Sequence, residues 1–455
     1  MFFLKEVCER VIKERTFRGG IHPLERMHHG KRLSDGRPVV RAKPPTTVVL
    51  PMSQHIGAPA KCLVKAGDTV KMGECIGEAG GFVSAPVHAS VSGKVIAAEP
   101  RLVASGAWPF SVVIKNDFED TIAESIRPAG SVEALTPEQI KAAITEAGMV
   151  GMGGAAFPAH VKLSIPPGKN VDTIILNGAE CEPFLTADHR VMLEKPEDVV
   201  SGLLAIMKVV GVKKGYIGVE LNKPDAIAAL KKAIGRRDGI ELVTLKVKYP
   251  QGAEKQLINA VTGREVPSGG LPADASVVVS NVGTAAKIAE VLSTGMPLIE
   301  RVVTVTGAVE SPANLLVRIG TPFTDVIEQA GGTVGEVGKI LNGGPMMGQP
   351  VYDTSVPVLK GTSGIVVLSK ELADTEEESN CIRCGRCAQY CPIRLQPLFI
   401  DAYSRMHNME KAEAFHALDC IECGVCSYVC PAKRHLVQSI RAAKGAILAA
   451  RRRKA

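Results

Sequence analysis

Cys381-Ile-Arg-Cys384-Gly-Arg-Cys387-Ala-Gln-Tyr-Cys391-Pro392, with its second copy Cys420-Ile-Glu-Cys423-Gly-Val-Cys426-Ser-Tyr-Val-Cys430-Pro431, decides how this chain folds at its C-terminal end. Both runs have the spacing C-x2-C-x2-C-x3-C-P, in which three close thiolates wrap one cubane iron–sulfur cluster and the fourth reaches across to the other. Two such runs must therefore pack against each other. The spacing assigns Cys381, Cys384, Cys387 and Cys430 to one [4Fe-4S] centre, and Cys420, Cys423, Cys426 and Cys391 to a second. Gly385 and Gly424 fall where a missing side chain lets the backbone turn toward the cluster sulfurs, and the prolines redirect the chain after each crossing ligand. Structural zinc would use two C-x2-C pairs in one tetrahedral site, which leaves no role for eight thiolates. A chain built around two such clusters moves single electrons.

Working outward, 455 residues imply about three or four domains, and a hydrophobic content of 45% makes them globular. The other cysteines, Cys8, Cys62, Cys75 and Cys181, are scattered singly, which offers no disulfide framework and fits a reducing, cytoplasmic compartment. No apolar run approaches the roughly 18 residues of a membrane span. Met1 to Thr16 mixes Lys, Glu and Arg with its apolar residues, unlike a signal peptide. Any membrane contact is expected to be peripheral. The net charge of +7 is concentrated in Ala432 to Ala455, which carries eight Lys and Arg and no acid. With aromatics at 4% and no stacking module, nucleic-acid binding is not expected. Within that tail, Leu436, Ile440, Ala443 and Ile447 recur on one helical face while Arg441, Lys444 and Arg451 to Lys454 charge the rest. The pattern suits a docking arm for anionic lipid or an acidic partner.

The remaining segments divide as 1–130, 131–298, 299–360, 361–435 and the basic tail 436–455. Between the cysteine runs, Pro397 to Leu418 is helical in pattern, as a dicluster ferredoxin unit requires. Residues 299–360 have the length and β-β-α-β order of a β-grasp module. In 131–298, Thr136-Pro137-Glu138-Gln139 is a capping box opening a short helix with Ile140 and Ile144 inward. After it come the strand Val171 to Leu176, the helix Pro196 to Val210 stopped by Gly211, and the strand Gly215 to Val219. The helix Lys223 to Ile234, capped by Asn222, and the strand Glu241 to Tyr249 complete the series. This alternation predicts a doubly wound, Rossmann-like parallel sheet with ligands outside its carboxyl ends, at 177–182, 220–222 and 249–254. Gly151-Met-Gly153-Gly154-Ala155-Ala156-Phe157-Pro158 follows a helix and runs into proline, so it is not an ordinary dinucleotide loop. It is a glycine loop whose amides can approach a phosphate or ring, with the cation of Lys162 one to two turns on. From Thr46 to Ile114 short β-branched runs alternate with Gly and Pro turns, resembling the barrel-sandwich of biotinyl and lipoyl carriers. Ala79-Gly80-Gly81 stands where those carriers present their lysine, so an unmodified scaffold is expected. His28-His29 reads as a solvated pair rather than a metal site.

Phe17-Arg-Gly-Gly-Ile-His-Pro23, Ser53-Gln-His-Ile-Gly-Ala-Pro-Ala60, Gly80-Gly-Phe-Val-Ser-Ala-Pro-Val-His-Ala-Ser-Val-Ser-Gly93, Asn177-Gly-Ala-Glu-Cys-Glu-Pro183 and Thr186-Ala-Asp-His-Arg190 carry a family resemblance. Over residues 17 to about 435 the sequence is similar to the C subunit of the Rnf complex, the membrane-bound, ion-translocating ferredoxin:NAD oxidoreductase. Its middle also resembles, more distantly, the flavin subunit of respiratory complex I. That family's GxGGAGFPTGxK loop corresponds to 151–162, its NADExEP to 177–183, its Y.CGEE to 249–254 and its NNVET to 280–284. The resemblance implies that Gly151, Gly153, Lys162, Asn177, Glu180, Tyr249, Gly252 and Asn281 hold FMN. It further implies that Phe157 stacks on the nicotinamide or adenine of NADH, and that Glu182 and Glu254 lie close to the dinucleotide. The sequence departs from the pattern at Ala179 and Ala253, each in place of an acid, and at Ser280 in place of Asn.

The implied activity is exchange of electrons between NAD(H), FMN and the two clusters, the flavin turning a hydride into single electrons. No side chain is needed as acid, base or nucleophile, and none is given a catalytic role. The implied partners are the other subunits of the complex, NADH and, indirectly, the ferredoxin system. The implied place is the cytoplasmic face of the inner (cell) membrane. Two other readings compete. A flavin-free iron–sulfur relay or docking subunit is suggested by the losses at 179 and 253, against the retained Phe157, Lys162, Glu180 and Glu182. A soluble corrinoid reductase would share the flavin-like, β-grasp and cluster units, but such proteins lack the first 130 residues.

Overall fold

The computed structural model describes residues 14–23, 30–373 and 376–454; His28-His29 and Cys8 lie outside them. The doubly wound sheet has four parallel strands in the order Ile240–Leu245, Gly215–Glu220, Thr173–Gly178, Val277–Asn281. The chain starts at Thr173–Gly178, builds outward on one side, then crosses back to lay Val277–Asn281 on the other. Strand order thus reverses between Thr173–Gly178 and Val277–Asn281, which opens a crevice at their carboxyl ends. The expected capping box is present at Thr136 and Gln139, and Pro196–Val210 ends on a left-handed Gly211. That helix packs so closely on Val282–Thr294 that a Cβ on Gly202 would lie 1.9 Å from the Ala285 carbonyl oxygen. Only glycine fits there.

Two local expectations are corrected. The third strand stops at Leu245 rather than Tyr249, because Leu245 pairs with Glu220, the last residue of the neighbouring strand, and the ladder with that strand ends there. Tyr249 instead bridges to Ile21 of the N-terminal segment. Asn222 is not the cap of the next helix: Lys223 takes that place without a side-chain cap bond, and the Asn222 amide oxygen accepts from Lys223 Nζ at 2.9 Å.

The barrel-sandwich consists of a four-stranded sheet (Thr47–Pro51, Phe110–Asn116, Gly93–Pro100, Thr69–Val70) facing a three-stranded one (Lys61–Cys62, Cys75–Glu78, Val87–His88). Its apolar interior is continuous with that of the doubly wound unit, from Val48 and Leu50 through Ile140 to Leu292. The β-grasp sheet draws in strands from either side of residues 299–360. Its order is Val39–Arg41, Ala313–Arg318, Glu300–Gly307, Gly364–Ser369, Val337–Asn342, Gln349–Val351. The C-terminal unit is helical with its own core. The tail is not a free arm. As the helix Leu436–Lys454 it turns Leu436, Ile440, Ala443 and Ile447 into that core, each at most 3% exposed. Three of its cations pair with the same unit, Arg441 and Lys444 with Glu422 and Arg451 with Glu413. The apolar face is consumed by the cluster domain because that small unit has little else to bury. Among the described residues no helix is long and apolar enough to cross a membrane.

Candidate functional site

Asn177 and Asn281 are register partners on adjacent strands at the switch point. Asn281 caps the helix Val282–Thr294 through the Thr284 amide at 3.2 Å and donates to Asp188 at 2.7 Å. Asn177 donates to the Gly252 carbonyl at 2.8 Å and accepts from the Ala179 amide at 3.2 Å. The glycine loop lies over this edge. A Cβ on Gly151 would meet nothing closer than 3.7 Å, and one on Gly153 would reach only the Asn281 side chain at 3.4 Å. The bare face of the loop is thus open, as a flat ring or a phosphate requires. Lys162 stands across from it in an ion pair with Glu254 at 2.7 Å, and Phe157 is half-buried beside it. Gly252 is packed, its amide donating to Cys181 Sγ at 3.2 Å.

Beneath the open face lies a charged layer that sequence reading missed. Lys31 donates to the carbonyls of Glu180 (2.8 Å) and Leu185 (2.5 Å), and Lys223 donates to that of Ala179 (2.7 Å). Glu180, Asp188 and Glu220 have their carboxyls pushed above the usual range by burial, the lysines opposing it. The Glu180 Oε1 atom accepts from the Asp188 amide at 2.6 Å. Its Oε2 has no hydrogen-bond donor among the described residues, although Lys31 Nζ lies 3.7 Å away. A buried acceptor of this kind suits a ligand that brings a donor. Asp188 stood within a quoted motif and could have been found; Lys31, beside Gly30, had no signal. Glu182, 3.5 Å from the Tyr249 hydroxyl, has a further structural use. It accepts from the amides of Met346 (3.1 Å) and Met347 (2.8 Å), and so anchors a β-grasp loop.

Tyr249 joins this site to the clusters. Its ring is buried, and its hydroxyl donates to the Cys423 carbonyl at 2.8 Å. Ile21, Tyr249, Cys423 and Val425 form one apolar contact, with Cys181 packed against it. The N-terminal segment seals the joint: Ile21 and Tyr249 exchange backbone bonds, and the Gly20 amide donates to the Tyr390 carbonyl at 2.9 Å.

Cys391, Cys423 and Cys426 are buried, Cys420 is half-buried, and the fields of Cys391 and Cys420 act together on Cys423 and Cys426. Burial raises the Cys423 thiol to about 12, so cluster assembly here must expel protons. A cavity is lined by Cys381, Cys384, Cys387 and Cys430. That cavity gathers three cysteines of the first run and the last of the second, while Cys391 of the first run lies within the electrostatic reach of Cys420, Cys423 and Cys426.

The description "Nuo51 FMN-binding domain" matches residues 144–290, "RnfC Barrel sandwich hybrid domain" 15–119, "SLBB domain" 302–350 and "4Fe-4S dicluster domain" 373–431. The chain is 57% identical to the C subunit of the Na(+)-translocating ferredoxin:NAD(+) oxidoreductase complex of Acetobacterium woodii, over 97% of this chain and 99% of that protein. It is 48% identical to the C subunit of the proton-translocating complex of Clostridium ljungdahlii, over 94% and 93%. To the C subunit of the ion-translocating oxidoreductase complex of Rhodobacter capsulatus it is 42% identical, over 94% and 83%.

Proposed function

The chain belongs to the family of C subunits of ion-translocating ferredoxin:NAD(+) oxidoreductase complexes, and from that premise we propose that it passes electrons between NAD(H) and the rest of such a complex through FMN and two [4Fe-4S] clusters. The observation that carries this reading is the Tyr249 contact, which sets the crevice of the doubly wound sheet directly against the Cys423 ligand loop. FMN bound there would convert two-electron exchange with NAD(H) into one-electron delivery. Gly151 and Gly153 leave space for it, and Lys162 and Asn281 flank that space. Glu180 offers the unpaired acceptor. Gly252, Asn177 and Tyr249 shape the floor, while Phe157 and Glu254 face the dinucleotide side. Glu182 acts indirectly, by fixing the loop at Met346 and Met347. The protein sits peripherally on the cytoplasmic face of the membrane, where NAD(H) is available.

The test is anaerobic titration of the purified chain with FMN and then NADH, following flavin fluorescence and cluster bleaching. Wild type should bind flavin, and Gly153→Val should exclude it with both clusters intact, because the branched side chain occupies the open face. If wild type with intact, reducible clusters takes up no flavin even in excess, the flavin-free relay replaces this reading.

A further inference from the structure

The two cysteine runs match in backbone and differ in surroundings. Left-handed residues recur at equivalent places, Arg383 (φ 53°) with Glu422 (φ 57°) and Gly385 (φ 75°) with Gly424 (φ 79°). In the second run Glu422 is held by Arg441 at 2.8 Å and Lys444 at 2.6 Å. Val425 is fully buried, and the loop faces Tyr249. In the first run the same two places hold Arg383 and Arg386, both exposed and neither in an ion pair or side-chain hydrogen bond with any described residue. Ile382, between them and the exposed ligands Cys381 and Cys384, is 68% exposed. Arg405 and Arg434 of the same unit, by contrast, are paired, Arg405 with Glu378 and Asp401 and Arg434 with Asp401.

We propose that the 381–387 loop is the port through which single electrons enter or leave the chain, and that it docks an acidic protein surface surrounding a one-electron centre. The proposal rests on the relay reading above. Arg383 and Arg386 meet carboxylates, for which the planar guanidinium is suited, and Ile382 fills the dry centre of the contact. Such attraction speeds encounter and is screened by salt. One electron passes per encounter: one centre is oxidised, the other reduced, and no bond forms or breaks. The order of centres is then the crevice at Tyr249, the Cys420 set, the Cys381 set and the partner.

Arg383→Glu combined with Arg386→Val gives the first run the residues that the second already carries in the same conformation, which protects folding. The probe is the remaining subunits of the membrane complex in detergent. With the full chain reduced by dithionite, electron delivery to that probe is followed by stopped flow across a salt series, alongside the fraction of chain recovered with it. The double variant should deliver at least about tenfold more slowly at low salt and lose the wild-type decline with salt, its cluster content unchanged. Arg383→Lys with Arg386→Lys, treated with a zero-length carbodiimide, should form amide cross-links from those lysines to partner carboxylates. Wild-type delivery by the charge-changed variant, together with no cross-link at either lysine, overturns the port. Clusters of wild type that dithionite reduces but NADH does not would count against the flavin reading alone, since the dithionite arm measures the port independently.

Discussion

Glu182 is held between two opposing demands. Burial pushes its carboxyl up to about 7, while the amides of Met346 and Met347 favour the charged form. With the folded value above the ordinary 4.5, the folded state binds more protons than the unfolded one between these limits. Its contribution to stability is therefore full below the unfolded value and is lost as pH rises through about 7. Chemical denaturation from pH 4.5 to 7.5 should show this slope, at most about 1.4 kcal/mol per pH unit for one proton, on top of that from Glu180, which burial also raises to about 7, and Glu182→Gln should remove only the Glu182 share. Cys391→Ser gives a second expectation at this scale. The Cys391 thiol acts electrostatically on Cys420, Cys423 and Cys426, and if it ligates their cluster, as the spacing implies, the variant should lose the electron paramagnetic resonance signal of that cluster and keep the other. Loss confined to the Cys381 cluster would refute the ligand sets. The crossing is an expectation from spacing, a local and covalent constraint. The use of Glu182 was not legible in the sequence, because its donors lie 164 and 165 residues away.

Among the elements, the helix Leu436–Lys454 differs most from its expected role. Its amphipathic pattern was visible, but amphipathicity states only that a face is buried and not what covers it. Ile440 is fully buried against the cluster unit. Ile440→Ala should destabilise that unit by about 2 to 5 kcal/mol, read as an earlier loss of cluster absorbance in a guanidinium series. Unchanged cluster stability with weakened lipid binding would restore the docking-arm role. The helix Pro196–Val210, by contrast, was read to the residue, since proline at its start and glycine at its end act through local backbone geometry alone. The strand expected to reach Tyr249 was read too long because a β-strand ends where its neighbour does.

Across the whole molecule, Lys360 ties three units at one atom. From the β-grasp segment its buried Nζ donates to the Pro86 carbonyl of the barrel-sandwich (2.6 Å) and to the Gly148 carbonyl below the glycine loop (2.7 Å). Burial pulls its pKa down to about 7 from 10.5. Between those values the unfolded chain binds the extra proton, so the lysine's contribution to stability rises with pH across the window. Lys360→Met strands two buried carbonyls, each worth about 1 to 3 kcal/mol, and the stability gap from wild type should widen from pH 7 to 9 in urea melts. A gap independent of pH would show that the ammonium stays charged. The number of units, their types and their ligand spacings were determined by the sequence alone, because periodicity, caps and cysteine spacing act over a few residues. Only the tertiary structure decided that Ile21 and Tyr249 close the crevice onto the second cluster, that Lys31 and Lys223 underlie Glu180, and that the first cluster faces outward. These contacts join residues far apart in the chain, where no local rule of pattern or propensity reaches.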